Sequence, residues 1–331
     1  MQANEKETVC AIVVTYQRKE LLLECLQALR SQEEPLDAIY LVDNASSDQT
    51  PETLMEKRYL QNLPPDDLKT PWEKTSSIHN SIDGRSINLH YMRMPRNTGG
   101  SGGFYEGLKR AREKGYDWFW LMDDDTIPSE HALQNLTEKV KRLPSGYRLG
   151  FACSKVIWEG KAIHKMNIPQ IQPITNGLPF NELEDEGMLI VKGASFVSLL
   201  IHRDVVGKVG YPIRQLFIWG DDIEYTGRII NAGYIGLYVR ESTVRHKTKD
   251  NYQVNIFRDT PENAWKYYYD VRNKLFMEKQ HGLSRYISAF IKNISQGNLK
   301  LARKRKSHKL KFIWTNTLAS FASLIFNPHI K

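Results

Sequence analysis

The chain has 331 residues and a composition typical of a globular protein, with 41% hydrophobic and 25% charged residues. Its net charge of +8 is uneven: residues 271–331 carry thirteen Lys and Arg against one acid, which leaves −4 on the first 270 residues. The three widely spaced cysteines form no recognisable disulfide framework, and no run of 18 clean apolar residues predicts a membrane-spanning helix. No signal peptide is recognisable, so we expect a cytoplasmic protein.

The first predicted elements alternate along the chain: strand 9–15, helix 19–31, strand 38–42, a helix that begins after the loop 45–51, strand 87–92 and helix 104–114. This order is typical of a parallel, doubly wound sheet. The polar segment 61–85 is rich in turn residues and predicts a surface excursion from the sheet.

The second half continues the alternation, with strand 118–122, helix 131–143, strand 149–157, one or two strands in 188–201, helix 223–231 and strand 234–239. Residues 159–186 are predicted to be irregular. From about residue 261 the chain is predicted to be helical. We therefore expect an α/β domain over residues 1–255, with a mostly parallel sheet flanked by helices, and a helical, basic region over 256–331.

Three carboxylates, Asp123, Asp124 and Asp125, follow the apolar run 118–122. The carboxyl ends of strands in an open α/β sheet face the ligand crevice, so the triplet is predicted to lie at a binding edge. Side chains alternate in an extended chain, so Asp123 and Asp125 can point the same way and share a divalent cation. The alternative is a solvated acidic turn that caps the next helix.

A second acidic pair, Asp221 and Asp222, follows the apolar run 216–219. Beside a nucleotide, one of these carboxylates could act as a general base, and both also suit the cap of the following helix. His246 follows the last predicted strand in a cationic neighbourhood, where a lone His is more often structural than a metal ligand.

The glycine-rich run 99–103 lies between a predicted strand and a helix, where backbone N–H groups can approach a phosphate. A flexible turn is an equally good interpretation. Asp43 ends the second strand at the same sheet edge, where an acid commonly binds a ribose, although an ordinary turn aspartate fits as well.

Five motifs in order resemble family 2 glycosyltransferases of GT-A fold: VVTY at 13–16, VDNASSD at 42–48, NTGG at 97–100, DDD at 123–125 and WGDDIEY at 219–225. Three features resemble the galactofuranosyltransferase and rhamnosyltransferase branch of that family: RNTGGSGGF at 96–104, the full DDD at 123–125 and YYYDVRN at 267–273.

The resemblance implies an inverting, metal-dependent transferase that uses Mn²⁺ or Mg²⁺. It would move galactofuranose from UDP-galactofuranose, or rhamnose from dTDP-rhamnose, to a hydroxyl of a cell-surface glycan or lipid-linked acceptor. The implied metal ligands are Asp123, Asp125 and His246, and Asp222 is the implied catalytic base. Since the galactofuranosyl pattern has Trp directly before the acids and this chain has Gly220 there, Asp221 is the second candidate for the base.

The resemblance also implies which residues contact the substrates. The acceptor side would include Trp219. The nucleotide-sugar would contact Thr15, Tyr16, Asp43, Asn44, Arg96, Asn97, Gly99, Gly100 and Asp124.

Two other functions compete with this one. A sugar nucleotidyltransferase usually carries a glycine- and arginine-rich loop after its first strand, and the run YQRK at 16–19 contains no glycine. A catalytically inactive glycan-binding or scaffolding subunit would retain the fold, but both acidic motifs are intact in this sequence.

The basic C-terminal region predicts a further partner. Lys and Arg near an anionic membrane surface each contribute about 1 kcal/mol of binding energy. In the final apolar run, one helical face presents Trp314, Leu318, Phe321 and Ile325, which suits an interfacial helix. We expect peripheral attachment at the inner face of the cell membrane, ahead of a helix packed on the body and far ahead of nucleic-acid binding. A homo-oligomer remains open.

Overall fold

The computed structural model describes residues 6–251 and 253–329. The strands are β1 (Val9–Thr15), β2 (Ala38–Asp43), β3 (Trp72–His79), β4 (Ser86–Arg93), β5 (Trp118–Asp123), β6 (Thr126–Pro128), β7 (Leu149–Ile157), β8 (Ile174–Thr175), β9 (Leu178–Pro179), β10 (Met188–Val191), β11 (Leu199–His202) and β12 (Ile235–His246). The α-helices are α1 (Lys19–Arg30), α2 (Thr50–Glu56), α3 (Gly99–Glu113), α4 (Ala132–Lys141), α5 (Arg203–Val209), α6 (Asp221–Asn231), α7 (Ala264–Gln280), α8 (Leu283–Lys292), α9 (Asn298–Lys304) and α10 (Lys309–Ile325).

Ten of the described strands form one sheet in the order β10-β12-β7-β11-β5-β1-β2-β4-β3, with β6 paired to β12. Strands β5, β1, β2 and β4 are parallel neighbours. The carboxyl ends of these four strands therefore meet at one edge, which is where Thr15, Asp43 and Asp123 lie. The α/β fold class predicted from the sequence is confirmed.

Strand β1 shows how the core divides between the two faces of the sheet. All seven of its residues are buried, and they alternate in direction. Ala11 and Val13 belong to the core cluster that includes the buried faces of α1 and α4. Ile12 and Val14 belong to the cluster that includes α3, α5 and α6. Helices thus cover both faces, which is why the strand is apolar throughout.

The segment 61–85 was predicted to be a surface excursion, and this prediction was incomplete. It contains β3, which pairs antiparallel with β4 along its whole length. β3 ends the sheet, and only Ile78 of its eight residues is fully buried. An edge strand exposed in this way lacks the apolar pattern that sequence reasoning depends on.

Three other features differ from the pattern expected from the sequence. The glycine run forms the first turn of α3 and does not precede the helix as a loop. The apolar run 216–219 forms no strand: a short 3₁₀ helix ends at Leu216, and the chain then turns into α6. Strand β12 continues to His246, well beyond the predicted end at residue 239.

The C-terminal helices pack against one another and against the body. α7 packs against both α10 and α8, and the ring of Tyr267 packs edge-on against the ring of Trp219 with centroids 5.1 Å apart. Arg305 donates hydrogen bonds to backbone carbonyl oxygens of Ile256 and Asp259, which ties the basic cluster to the segment before α7. Among the described helices, none has the length and apolar character needed to cross a bilayer.

Candidate active site

One ligand atom from each of Asp123, Asp125 and His246 lies within 4.8 Å of the others, close enough to share one cation. Asp123 ends β5, and His246 ends β12, where it pairs with Thr126 of β6. Nε2 of His246 lies 3.1 Å from Oδ1 of Asp125. That oxygen is buried and lacks a well-aligned hydrogen-bond partner within the described part of the chain, so it is available to a cation.

His246 is held by two side chains that follow β7. Its Nδ1 lies 2.7 Å from Oδ1 of Asn167, so an N–H on Nδ1 can donate to this oxygen and leave the Nε2 lone pair facing the carboxylates. Asn167 in turn donates to the Ser195 hydroxyl at 2.8 Å. The ring of His164 packs on the ring of His246, with centroids 4.5 Å apart. This arrangement orients the imidazole as a metal ligand requires.

Asp124 contacts the residues that follow β1. Its Oδ2 accepts a hydrogen bond from Thr15 Oγ1 at 2.7 Å and one from the Tyr16 backbone N–H at 3.3 Å. Arg18 reaches the same place, with Nη1 3.3 Å from Oδ1 of Asp124, and forms a shorter ion pair with Asp125. Arg18 therefore supplies positive charge to the acidic triplet.

The surroundings shift the pKa values of these groups in different directions. Burial, and then the charge of Asp125, raises the pKa of Asp123 to about 6. Burial raises the pKa of Asp124 to about 7, against the charge of Arg18. Burial would also raise the pKa of Asp125, but His246 and Arg18 hold it below its ordinary value. Burial would lower the pKa of His246, and Asp125 raises it instead. A divalent cation would relieve the repulsion among the three carboxylates.

The second acidic pair begins α6. Asp221 is buried, and Oδ1 of Asp222 accepts a hydrogen bond from the Ile223 backbone N–H at 2.7 Å. Burial is the main cause that raises the pKa of both carboxyls, to about 6 for Asp222, and the charge of Asp123 adds to the increase at both. The two acidic clusters therefore lie within electrostatic range of each other. At neutral pH Asp222 is mostly ionised and still basic enough to accept a proton.

The turn before α6 has left-handed backbone angles at three positions, with φ values of 70°, 61° and 85° at Phe217, Trp219 and Gly220. Asn273 of α7 donates hydrogen bonds of 2.8 to 3.2 Å to three backbone carbonyl oxygens of this turn, those of Leu216, Ile218 and Trp219. Such a backbone persists only where its surroundings hold it. Helix α7 thereby fixes the start of α6 and its two carboxylates.

The glycine run at the start of α3 packs closely against this turn. A Cβ on Gly99, whose φ is +74°, would lie 2.0 Å from the carbonyl oxygen of Phe217. A Cβ on Gly103 would lie 2.5 Å from Val14, whereas a Cβ on Gly100 would meet nothing within 4 Å. The glycines thus allow the helix to approach both the end of β1 and the turn before α6. Contact of their N–H groups with a phosphate stays a prediction.

Asp43, at the end of β2, has both oxygens engaged. Oδ2 accepts hydrogen bonds from Tyr91 Oη at 2.7 Å and from Arg93 Nη1 at 2.5 Å, and Oδ1 accepts one from the Ser46 backbone N–H at 2.8 Å. A cavity of about 400 Å³ opens beside Arg93 and Ser46, between the loops that follow β2 and β4. Asp43 therefore holds Arg93 and Ser46, which line this cavity, in place at the carboxyl edge of the sheet.

The sequence profile of glycosyl transferase family 2 matches residues 10–63 and 71–207, which together are more than half of the chain. The chain belongs to this family. Among curated relatives of this glycosyltransferase, the galactofuranosyltransferase GlfT1 of Mycolicibacterium smegmatis is 26% identical over 301 residues, covering 85% of this chain and 86% of the relative. GlfT1 of Mycobacterium tuberculosis is 23% identical over 304 residues, with the same two shares.

Solved structures share the GT-A fold of this glycosyltransferase. TarS from S. aureus superposes with a TM-score of 0.55 at 13% identity, covering 96% of this chain and 81% of the TarS chain. GalNAc-T7, solved with UDP, GalNAc and Mn²⁺, gives a TM-score of 0.58 at 13% identity, covering 95% of this chain and 56% of the other. At such low identity these likenesses establish the fold alone.

Most of the residues predicted to form the site lie at the carboxyl edge of the sheet of the glycosyltransferase. Asn44 Nδ2 donates to the Gly99 carbonyl oxygen at 2.9 Å, and Asn97 Oδ1 accepts from the Gly99 N–H at 2.8 Å, so both support the start of α3. Arg96 is exposed, and Trp219 is half-buried in the turn before α6. The substrate contacts of these residues remain predictions.

Sequence reasoning missed three residues at this site. Arg18 lies in the loop after β1, where a basic residue at the carboxyl edge was a usable signal. Asn167 gave no signal, because it lies in an irregular segment 79 residues from His246. Asn273 lies within the YYYDVRN run, but the resemblance gave it no contact; its hydrogen bonds to the turn before α6 require the tertiary structure.

Proposed function

We propose that this glycosyltransferase transfers galactofuranose from UDP-galactofuranose to a hydroxyl of a glycan or lipid-linked acceptor, with inversion at the anomeric carbon. The observation that carries the proposal is the cluster of Asp123, Asp125 and His246, whose ligand atoms lie within 4.8 Å of one another at the carboxyl edge of the sheet. The name of the curated relatives favours galactofuranose over rhamnose from dTDP-rhamnose.

The first cluster fits a divalent cation, because it offers two carboxylates and an imidazole at close range, and the buried Oδ1 of Asp125 makes no well-aligned hydrogen bond to the described residues. We propose that Asp123, Asp125 and His246 hold Mn²⁺ or Mg²⁺. When bound, the ion supplies positive charge that stabilises the departing diphosphate. Asn167 keeps the imidazole in the metal-binding orientation.

The second cluster provides the base. Asp222 takes the proton of the acceptor hydroxyl as the hydroxyl oxygen bonds to the anomeric carbon of the donor sugar. The bond from that carbon to the diphosphate oxygen breaks on the opposite face, so the configuration inverts in one displacement. The N-terminus of α6 favours the ionised form of Asp222, whereas burial and Asp123 keep its pKa near 6, so it remains a competent base.

The substrates are proposed to lie along the carboxyl edge of the sheet. The nucleoside end would occupy the region of Thr15, Tyr16, Asp43 and Asn44, beside the 400 Å³ cavity. Trp219 would contact the acceptor. The diphosphate and sugar would lie toward Arg96, Asn97, Gly99, Gly100 and Asp124.

We propose that residues 1–255 form the catalytic domain and residues 256–331 a helical region that attaches the protein to an anionic membrane surface, at the inner face of the cell membrane. Thirteen Lys and Arg within residues 271–331 support this attachment. A lipid-linked acceptor would then be presented in the same plane as the enzyme.

A screen of nucleotide-sugar donors tests the proposal. Purified protein with Mn²⁺ is expected to release UDP from UDP-galactofuranose faster than dTDP from dTDP-rhamnose, and a chelator is expected to stop the release. Asp123→Ala should abolish metal-dependent UDP binding in calorimetry. Release from dTDP-rhamnose alone would reassign the donor, and no release from any donor would support a non-catalytic glycan-binding subunit.

A further inference from the structure

Helix α10 buries Phe312 and Ala319, but it also turns three polar side chains inward and most of its large apolar side chains outward. Asn293 donates to Oδ1 of Asn316 at 3.0 Å and to Oγ of Ser320 at 2.8 Å, and the Tyr286 hydroxyl lies 3.0 Å from that of Ser323. All three α10 residues are buried. A helix packed on a water-soluble domain has the opposite arrangement, with its apolar side chains buried and its polar side chains in water.

The outward face of α10 consists of large apolar side chains. Trp314 is 68% exposed and Ile325 is 89% exposed. The exposed apolar residues of this helix are Leu310, Trp314, Leu318, Phe321, Leu324 and Ile325. An apolar row of this extent is far from the scattered single side chains that ordinary protein surfaces carry, and it marks an interaction surface.

Helix α8 continues this surface. Leu283, Ile287, Phe290 and Ile291 follow the spacing of one helical stripe, and all but the partly buried Phe290 are exposed. The ring of Phe290 meets the ring of Phe321 on α10 edge-on, with centroids 5.7 Å apart. The two apolar rows therefore lie on adjacent helices and are joined at the surface.

The charge around these rows has one sign. Residues 279–331 contain eleven Lys and Arg and neither Asp nor Glu. Lys292 ends α8, while Lys309 and Lys311 lie in the first turn of α10, and all three are exposed. Apolar rows flanked by cations match a surface of anionic headgroups over acyl chains. A second copy of this chain would match the apolar rows but would bring two cationic regions together.

We infer that the outward faces of α8 and α10 insert together into the interfacial layer of an anionic membrane. The inference rests on the membrane attachment proposed above and deepens it, because it assigns binding to apolar insertion by two helices as well as to attraction by the basic cluster. The two contributions differ in their response to salt. At 1 M salt the Debye length is about 3 Å, so attraction between exposed charges is screened, whereas burial of apolar surface is not weakened.

Flotation with vesicles of equal parts phosphatidylglycerol and phosphatidylcholine, at low salt and at about 1 M salt, tests the inference with full-length protein. Wild type is expected to keep a measurable part of its vesicle binding at high salt. Two double variants should each reduce that residual binding by about tenfold. They are Leu318→Gln with Phe321→Gln on α10, and Ile287→Gln with Ile291→Gln on α8. The matched control, Ile171→Gln with Ile174→Gln, removes exposed apolar side chains from the body and should bind as wild type does.

Release of UDP from the soluble donor and calorimetric binding of UDP, measured in every variant, separate this inference from the proposed transfer reaction. Unchanged UDP binding together with lost vesicle binding supports insertion. Vesicle binding that both pairs retain at high salt, or that wild type loses completely at high salt, overturns the inference and leaves the transfer reaction untouched. A wild-type dimer that the α8 and α10 pairs convert to monomer, with unchanged vesicle binding, would assign the surface to a second copy and also overturn it.

Discussion

Asp222 differs from the other acids of the site in its partners. Asp124 accepts hydrogen bonds from Thr15 and Tyr16, and Asp125 is paired with Arg18 and His246. Oδ1 of Asp222 accepts a hydrogen bond from the Ile223 N–H, and no side chain among the described residues donates to its carboxylate. A carboxylate of this kind, with a raised pKa, is the one suited to remove a proton from an acceptor.

We expect Asp222→Asn to abolish transfer and to leave nucleotide-sugar binding nearly intact, because the amide keeps the shape of the side chain and cannot take a proton. A base of this kind contributes about 10²- to 10⁴-fold to the rate. Single-turnover transfer and donor affinity by calorimetry measure the two effects separately. Asp221→Asn is the comparison: if it abolishes transfer while Asp222→Asn does not, Asp221 is the base.

Asn167 is expected to act on the metal through His246. Asn167→Ala removes the acceptor for the Nδ1 hydrogen, so the imidazole loses the bond that fixes its orientation. Loss of such a partner typically costs about 10- to 100-fold in metal affinity. Titration of the protein with Mn²⁺, followed by the metal's electron paramagnetic signal, would show the loss. Asn167→Asp keeps an acceptor oxygen and should restore much of the affinity; equal affinity in wild type and the Ala variant would contradict the role.

At the scale of elements, the catalytic edge is assembled from segments far apart in the chain. α3 brings its glycine turn against Phe217, and α7 holds the same turn through Asn273. Contacts with these two helices therefore fix the position of the chain immediately before Asp221. The position of the second acidic cluster depends on this packing, because the N-cap of α6 is Gly220 and no side chain in the described part of the chain caps the helix.

The contrast between Gly99 and Gly100 tests this packing. Gly99→Ala places a Cβ 2.0 Å from a backbone carbonyl oxygen at a left-handed φ, so the turn before α6 must move. We expect Gly99→Ala to lower the free energy of unfolding by several kcal/mol or to remove most of the transfer activity. Gly100→Ala adds the same methyl group where nothing lies within 4 Å and should change thermal stability by less than about 1 kcal/mol. Similar unfolding curves and rates for the two variants would show that the close contact is unimportant.

At the scale of the whole molecule, the acidic site links stability to pH and to metal. Burial raises the pKa of Asp123 to about 6 and of Asp124 to about 7. As the pH rises from the ordinary pKa of an aspartate to these raised values, ionisation of the two groups therefore destabilises the metal-free fold. The raised pKa of His246 gives stability at acidic pH that is lost as pH rises through the folded value. The lowered pKa of Asp125 has the opposite sign but acts only at acidic pH.

In chelator-treated protein the acidic site is therefore expected to lower the melting temperature progressively from about pH 5 to about pH 8. Mn²⁺ should raise it, and by more at the upper end of this range, because the carboxylates are ionised there. Differential scanning calorimetry at several pH values measures both effects. Asp124→Asn removes one of the ionising groups and should give a shallower pH dependence; an identical slope in the variant and the wild type would refute the linkage.

The sequence was sufficient to predict the strands of the parallel centre, the α/β class and the acidic triplet at 123–125. It could do so because a strand buried on both faces must be apolar, and because carboxylates directly after such a strand lie at the edge where ligands bind. It could not determine β3, whose exposed edge position leaves no apolar pattern.

Which residues meet at the site depends on the tertiary structure. Four sets of contacts join segments that no local pattern connects. They are the approach of His246 to Asp125, the hydrogen bond between Asn167 and His246, the ion pairs of Arg18, and the hydrogen bonds from Asn273 to the turn before α6. Which face of α10 is buried also depends on the tertiary structure. Its sequence offers both a polar and an apolar face, and the partners available on α8 and in the segment that follows it decide that the polar face is the one buried.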